Sequence, residues 1–229
     1  MAISRRNPLA LMALCVLWQR PTHPYGIVQY LKATYKDAAA RLNYGSLYTV
    51  IGQCEKAGLI EAVEVTRSGN LPPRTTYRVT DAGIAEMNAW LSEMLARPAD
   101  ETPDYLAALS ILPAVSVDEA VARLRDRADA LSRAIAAMEA DRARIAPLVP
   151  EIFSLDAYYR LASARAELAF TEDLVRRIES GELGGLDLWR DIYANLKDGR
   201  PDWTRVTAAF AAAGFDMQSV GQDREEGGK

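Results

Sequence analysis

The order of helical and strand-like segments in the first hundred residues constrains the fold of this chain more than any other feature. Apolar residues recur at helical spacing in three segments, alternate as in strands in two, and return to helical spacing in a sixth. In chain order these segments lie near residues 8–20, 25–40, 45–56, 59–66, 74–80 and 80–96. Three helices, a two-stranded ribbon and a fourth helix make a winged helix-turn-helix, which we predict for residues 1–97.

Cap and turn residues support these boundaries. Asn7 before Pro8 is typical of a helix N-cap followed by proline at the first helical position. Thr80 can cap the fourth helix, and Gly58 is the expected C-cap of the third. The segment 67–73 is rich in turn-forming residues and predicts the loop of the ribbon.

The apolar pattern also predicts which side chains face the core. In the third helix, Leu47, Ile51 and Cys54 recur at positions i, i+4 and i+7 and therefore form its inward stripe. In the second helix, Ile27, Val28, Leu31 and Tyr35 recur near helical spacing. In the ribbon the residues that alternate, as in a half-buried pair of strands, are Val63, Val65, Thr75, Tyr77 and Val79.

The rest of the chain is predicted to be helical. From Val117 to Ile145 and from Ala157 to Ile178, seam positions step by four and three residues, as in a coiled coil. Pro147 and Pro150 separate these two stretches, so residues 98–182 are expected to form an antiparallel helical hairpin. Residues 183–229 are expected to form a helical tail that ends in a disordered segment.

Such a hairpin leaves one apolar side uncovered. That side can pack on the winged helix of the same chain or on the hairpin of a second copy, and we expect the second, because twofold dimers are the commonest oligomers. The fold class is thus mainly α, with a winged helix-turn-helix followed by an antiparallel helical dimerisation domain. The residues expected at the dimer contact are Val121, Leu124, Leu131, Ile135, Met138, Leu161, Leu168, Val175 and Ile178.

Charge is distributed unevenly along the chain. Residues 1–97 hold 11 Lys and Arg against 7 Asp and Glu, a net charge of +4, whereas residues 98–229 hold 16 against 24, a net charge of −8. This asymmetry favours a polyanionic partner for the first part only.

Other classes of protein are disfavoured. The apolar run after Arg5 and Arg6 is too short to span a bilayer and lacks a cleavage site, so we expect a cytoplasmic protein without a membrane partner. Two cysteines and a single histidine cannot build a zinc site, and we expect no metal and no cofactor. A glycine-rich phosphate loop is also missing from the sequence, so we do not expect an enzyme.

Five motifs in the first hundred residues resemble those of the PadR family of transcriptional regulators, in order and in spacing. They are Pro24-Tyr25-Gly26, Gly45-Ser46-Leu47-Tyr48, the segment from Cys54 to Ile60, the segment from Arg74 to Val79, and Thr80-Asp81-Ala82-Gly83. The family resemblance implies a DNA-binding regulator, in most cases a repressor that a small molecule or another signal releases. It also implies that Tyr48 contacts a DNA phosphate. Cys54 stands where the family has leucine, and the tail after Gly181 extends beyond the family pattern.

A DNA-binding face follows from the predicted core stripe. With Leu47, Ile51 and Cys54 inward, the third helix turns short polar side chains and one glycine, Gly52, towards a major groove about 12 Å wide. The wing and the basic residues around it would contact the backbone. The residues expected to bind double-stranded DNA are Arg5, Arg6, Lys32, Lys36, Asn43, Tyr44, Ser46, Tyr48, Thr49, Gln53, Arg67, Asn70 and Arg74.

Two alternatives stay open at the level of sequence. The winged helix could serve protein contacts without specific DNA binding. In the family, small aromatic ligands bind between the winged helix and the dimer helices, which makes Met87, Trp90 and Met94 candidate walls of an effector pocket; an apolar stripe at this spacing is more often part of the core.

Overall fold

The structure is a computed structural model that describes residues 7–36, 39–40, 42–66, 74–98, 103–194 and 204–212. The chain divides into two compact units, Met1–Glu101, which we call the winged-helix unit, and Thr102–Lys229, which we call the helical unit. In the described ranges no helix is both long and apolar enough to cross a membrane.

The winged-helix unit has the predicted order of elements, and the predicted fold is confirmed. Its helices and strands are α1 (Pro8–Gln19), α2 (Pro24–Ala33), α3 (Tyr44–Lys56), β1 (Ile60–Thr66), β2 (Arg74–Val79) and α4 (Asp81–Ala96). The Asn7 side chain accepts hydrogen bonds from the N–H groups of Leu9 and Ala10, and Thr80 Oγ1 accepts one from Gly83. Gly58 closes α3 with φ +70°, as expected for a C-cap glycine.

The second helix is shorter than its apolar pattern predicts. It ends at Ala33 in a Schellman motif, in which the N–H of Lys36 donates to the carbonyl of Leu31 at 2.8 Å and the N–H of Tyr35 donates to that of Lys32 at 3.1 Å. Tyr35 takes the left-handed position, with φ 56°, that glycine usually fills. The prediction that this helix continues to about residue 40 was therefore wrong, and the Tyr35 side chain is 55% exposed.

The core of the winged-helix unit forms around α1, whose residues Leu14 and Leu17 are almost fully buried. The predicted inward stripe of α3 is confirmed, because Leu47 and Cys54 are fully buried and Ile51 is 3% exposed. Burial raises the pKa of the Cys54 thiol from 9.0 to about 11, so this thiol stays neutral at physiological pH.

The ribbon is antiparallel, with Ile60 opposite Val79 and a β-bulge between Ala62 and Glu64. Beyond Ile60 the first strand leaves the core, and every side chain from Glu61 to Val65 is exposed. The prediction that Val63 and Val65 are half-buried was therefore wrong. On the other edge of β2, the residue Thr22 exchanges two backbone hydrogen bonds with Tyr77, at 3.0 and 2.9 Å.

The helical unit contains the predicted hairpin and further helices on either side of it. Its α-helices are α5 (Asp104–Ser110), α6 (Val117–Ile145), α7 (Leu155–Glu179), α8 (Leu186–Ala194) and α9 (Thr204–Ala212). Ion pairs join Arg125 to Glu179 near one end of the α6–α7 pair and Arg165 to Glu139 nearer the other, as an antiparallel arrangement requires. The predicted terminal disordered segment lies outside the described residues.

Packing between α6 and α7 uses the predicted seam. Four of the nine residues expected at a dimer contact are already buried within a single chain: Leu124, Ile135, Leu161 and Ile178. The other five are half-buried: Val121, Leu131, Met138, Leu168 and Val175. The seam therefore first holds the hairpin together, and only its half-buried members keep surface for a second copy.

The tail begins as a packed part of the helical unit. Leu186 and Trp189 of α8 join the cluster around Leu124 and Ile178, and the Trp189 Nε1–H donates to the carbonyl of Val115 at 2.8 Å. Because one face of α8 carries Leu186, Trp189 and Ile192, all buried, this helix covers apolar surface at the base of the hairpin.

In the winged-helix unit, Gly83 of α4 and Gly52 of α3 offer a matched test of how closely α4 packs on Leu59. A Cβ at Gly83 would lie 2.0 Å from the Leu59 carbonyl oxygen and 2.7 Å from Val79 Cγ2, whereas a Cβ at Gly52 would meet nothing within 4 Å. We expect Gly83→Ala to lower the free energy of unfolding by about 1–3 kcal/mol through overpacking. Gly52→Ala should instead raise it by roughly 0.5–1 kcal/mol, because alanine favours a helix interior.

Urea unfolding followed by circular dichroism measures both changes. Equal stability of the two variants would contradict the close approach of α4 to Leu59.

Candidate nucleic-acid interface

The third helix is positioned by its cap and by its buried stripe. Asn43 Oδ1 accepts hydrogen bonds from the N–H groups of Gly45 at 2.9 Å and Ser46 at 3.3 Å, which fixes where α3 begins. Since Leu47, Ile51 and Cys54 are buried on one side, the opposite side of the helix faces out.

The outward side of α3 carries the side chains that the sequence predicted for it. Ser46 and Thr49 are exposed, Tyr48 is 61% exposed, and Gly52 and Gln53 are half-buried. Hydroxyl and amide groups of this kind donate to and accept from base edges. We call this side the outer face of α3.

The remaining predicted DNA contacts lie around the outer face or outside the described residues. Lys32 is exposed in the last turn of α2, Lys36 is half-buried just after it, and Arg74 is exposed at the first position of β2. Tyr44 opens α3, but its side chain is not among those described. Arg5, Arg6, Arg67 and Asn70 lie outside the described residues.

Beside the outer face lies a cleft of about 250 Å³, which we call the wing cleft. It is lined by His23, Pro24 and Tyr25 at the start of α2, by Tyr48, Ile51 and Gly52 of α3, and by Arg74, Thr75 and Tyr77 of β2. Sequence reasoning did not assign His23, Tyr25 or Tyr77 to the interface. The signal available was the pair His23-Pro24, which has the form of an N-cap followed by proline.

His23 has two structural roles at the edge of the wing cleft. Its Nδ1 atom accepts a hydrogen bond from the N–H of Gly26 at 2.9 Å and so caps α2. Its ring stacks on that of Tyr25, with centroids 6.3 Å apart and planes at 19°. The cap and the stacking fix the orientation of the imidazole at the mouth of the cleft.

Tyr77 connects the second wing strand to α3. Partial burial of the phenol raises the pKa of Tyr77, and the nearby charge of Glu55 and a hydrogen bond to its carboxylate raise it further, while a hydrogen bond with Thr75 acts in the opposite direction. Because Tyr77 also pairs with Thr22 through the backbone, one residue joins the start of α2, the end of α3 and the wing.

The two arginines of the second wing strand lie in different surroundings. Arg78 Nε lies 2.5 Å from Glu61 Oε1 across the ribbon, so its charge is balanced locally. Arg74 lines the wing cleft, and no Asp or Glu side chain is among the described residues that line it.

The structure places the three candidate effector residues differently. Met87 and Trp90 belong to the core of the winged-helix unit, at 6% and 1% exposure, and the Trp90 Nε1–H donates to Glu86 Oε1 at 2.6 Å. Met94 is 44% exposed. Of these three residues, only Met94 presents substantial surface to a ligand. Across the described ranges, no three His, Cys, Asp or Glu side chains are grouped so that they could hold a metal ion.

Comparisons with known proteins agree with this geometry. Residues 13–89 match the model of the family described as the transcriptional regulator PadR-like family. The predicted resemblance is thus confirmed for the winged-helix part of the chain. A search of the curated proteins finds no match.

Solved structures share the fold. Bacillus subtilis PadR in complex with operator DNA is 16% identical, with a TM-score of 0.61 over 73% of this chain and 97% of that chain. The same regulator in complex with p-coumaric acid is 15% identical, with a TM-score of 0.60 over 78% and 99%. The PadR-like transcriptional regulator BC1756 from Bacillus cereus is 16% identical, with a TM-score of 0.52 over 76% and 99%.

The two wing arginines provide a prediction with an internal control. Arg74→Ala should weaken binding to any duplex and should reduce the slope of log K against log salt by about 0.9, the value for one phosphate contact. Arg78→Ala removes the same charge from the same strand and should leave the slope unchanged, because Glu61 already balances Arg78.

Fluorescence anisotropy with a labelled duplex at several salt concentrations measures both slopes. A changed preference between duplexes without loss of affinity would show that Arg74 does not contact a phosphate.

Proposed function

Since residues 13–89 match the model of the PadR-like transcriptional regulator family, we propose that the protein is a sequence-specific DNA-binding repressor that a small molecule or another signal releases. The observation that carries the proposal is the outer face of α3, where exposed polar side chains stand opposite a fully buried stripe. A helix with one such face can enter the major groove without unfolding any part of the core.

Each part of the interface has a distinct role in this proposal. Ser46, Thr49 and Gln53 meet base edges in the major groove, where each base pair has its own pattern of donors and acceptors. Contacts to phosphate fix the register of the protein on the duplex. The residues proposed for those contacts are Arg5, Arg6, Lys32, Lys36, Asn43, Tyr44, Tyr48, Arg67, Asn70 and Arg74.

The proposal includes a homodimer formed through the helical unit. Leu131 and Met138 of α6 and Leu168 and Val175 of α7 repeat at intervals of seven residues and stay half-buried, so each leaves apolar surface on the hairpin. A second copy of this hairpin would cover that surface. Two winged-helix units related by a twofold axis would then read half-sites about 34 Å apart.

We also propose a small-molecule effector, because a protein of similar structure is bound to a small molecule. Bacillus subtilis PadR is described in complex with p-coumaric acid, and we propose that a small aromatic molecule releases the present protein from DNA in the same general way. Met94 is the residue proposed to touch it. Met87 and Trp90 would sense the effector indirectly, because both are packed in the core.

Specific binding is tested by a salt-titrated gel shift. The probes are duplexes from upstream of the gene and its neighbours and a scrambled duplex of the same composition. The proposal predicts that one natural probe binds at physiological salt at least a thousandfold more tightly than the scrambled duplex, within the usual range for specific binding.

Weak and equal binding of all probes would contradict specific recognition by these sequences. Absence of any salt-sensitive binding would favour a winged helix that serves protein contacts.

The dimer is tested by light scattering on a size-exclusion column. Wild-type protein should have twice the mass of the chain at micromolar concentration. Leu131→Glu combined with Met138→Glu should shift it to the mass of one chain, because two charges would be buried at the proposed contact. Ala140→Glu, an exposed position on the far side of α6, is the matched control and should stay dimeric.

Helical content must be unchanged in the double variant for the comparison to hold, which circular dichroism checks. A wild-type protein of single-chain mass would overturn the dimer.

A further inference from the structure

We propose that the wing cleft is a binding site for one phosphate and its sugar from the DNA backbone, with His23 and Tyr25 as binding residues opposite Tyr48 and Arg74. This inference rests on the proposed function and extends it. It assigns a DNA-binding role to the start of α2, where the sequence predicted no DNA contact.

Several side chains that line the wing cleft are hydrogen-bond donors. Arg74 supplies a guanidinium group, and Tyr25 and Tyr48 supply phenolic hydroxyls. Because Nδ1 of His23 accepts from the N–H of Gly26, the proton of the neutral ring is on Nε2, which makes that nitrogen a donor. An anion in the cleft would therefore be surrounded by donors contributed by three separate elements.

Among the described residues, no carboxylate lines the wing cleft. The nearby carboxylate of Glu55 accepts a hydrogen bond from the hydroxyl of Tyr77. The ribbon and α3 hold three acidic side chains, those of Glu55, Glu61 and Glu64, which could repel a phosphate. In the described part of the wing, Glu61 is likewise occupied, since it pairs with Arg78.

The wing cleft has open space and apolar surface for a sugar–phosphate unit. Gly52 lies on the α3 side of the cleft, and an added Cβ would meet no atom within 4 Å, so the glycine leaves open space where any other residue would intrude. Tyr25 and Tyr48 are 48% and 61% exposed, and an aromatic ring offers an apolar face against which a deoxyribose can pack.

The wing cleft adjoins the outer face of α3. Tyr48 and Gly52 belong both to the wing cleft and to the outer face of α3. A phosphate in the cleft would therefore lie directly beside the groove that α3 enters. This is the place where one strand of the duplex must pass between the recognition helix and the wing.

The experiment couples protein variants to single neutralised phosphates. A duplex selected from a random library by wild-type protein is remade with one methylphosphonate at a time, which removes one backbone charge. His23→Asn keeps the α2 cap, because asparagine is a good N-cap, but removes the ring. Tyr25→Phe removes only the hydroxyl, and Tyr30→Phe on the same helix is its control, because the Tyr30 hydroxyl bonds Gln19 instead.

We expect His23→Asn and Tyr25→Phe each to weaken binding to the unmodified duplex roughly 10- to 100-fold, the loss of one hydrogen bond to a charged group. One methylphosphonate duplex should lack the phosphate that lies in the cleft. On that duplex, His23→Asn, Tyr25→Phe and Arg74→Ala should each bind as tightly as wild-type protein does. Gly52→Ala should weaken binding while leaving the fold at least as stable. Tyr30→Phe should bind as wild type does.

Two outcomes separate the inference from the function on which it rests. Wild-type affinity of His23→Asn and Tyr25→Phe, together with a loss for Arg74→Ala, would overturn the cleft and leave the regulator intact. Failure of wild-type protein to select any duplex would overturn the regulator itself. Equal thermal midpoints for His23→Asn and wild type show that the cap has been kept.

Discussion

The orientation of α3 depends on the burial of Leu47, Ile51 and Cys54 against the core built around α1. Burying each such side chain contributes about 1.5–3 kcal/mol, so any rotation of α3 that brought its polar side inward would lose several of these contributions at once. The outer face is therefore fixed by the core. Because the same three residues hold the helix, changes on its outer face are expected to alter recognition with little effect on folding.

Around α3, short-range contacts within the protein hold the surrounding elements in place. The Thr22–Tyr77 bridge joins the entry of α2 to the wing, the hydroxyl of Tyr77 reaches Glu55 at the end of α3, and His23 caps α2. A surface that is already ordered in this way loses less conformational entropy when it binds a partner. Contacts within the protein would thus add to the affinity of the proposed interface by ordering it in advance.

The sequence predicted the elements whose signals are local. Helical spacing, the Asn7 and Thr80 caps and Gly58 placed most helix boundaries, and the stripe of α3 predicted its outer face. The end of α2 was mispredicted because Tyr35 adopts a left-handed conformation that its residue type does not signal. The wing cleft was missed because its walls come from residues 23–25, 48–52 and 74–77, which only the fold brings together. The heptad pattern could not separate a contact within the hairpin from one between copies, since both use the same spacing.

We propose that α3 lies in the major groove with its outer face towards the bases, and methylation interference is the experiment that tests this placement. A selected duplex is methylated sparsely at guanine N7, which lies in the major groove, and at adenine N3, which lies in the minor groove, and bound molecules are separated from free ones. If α3 lies in the major groove, N7 methylation will block binding in two patches about one helical turn apart, and Gln53→Ala or Thr49→Ala will remove the interference at individual bases within each patch. Interference confined to adenine N3, or unchanged by these variants, would show that another surface of the protein reads the DNA.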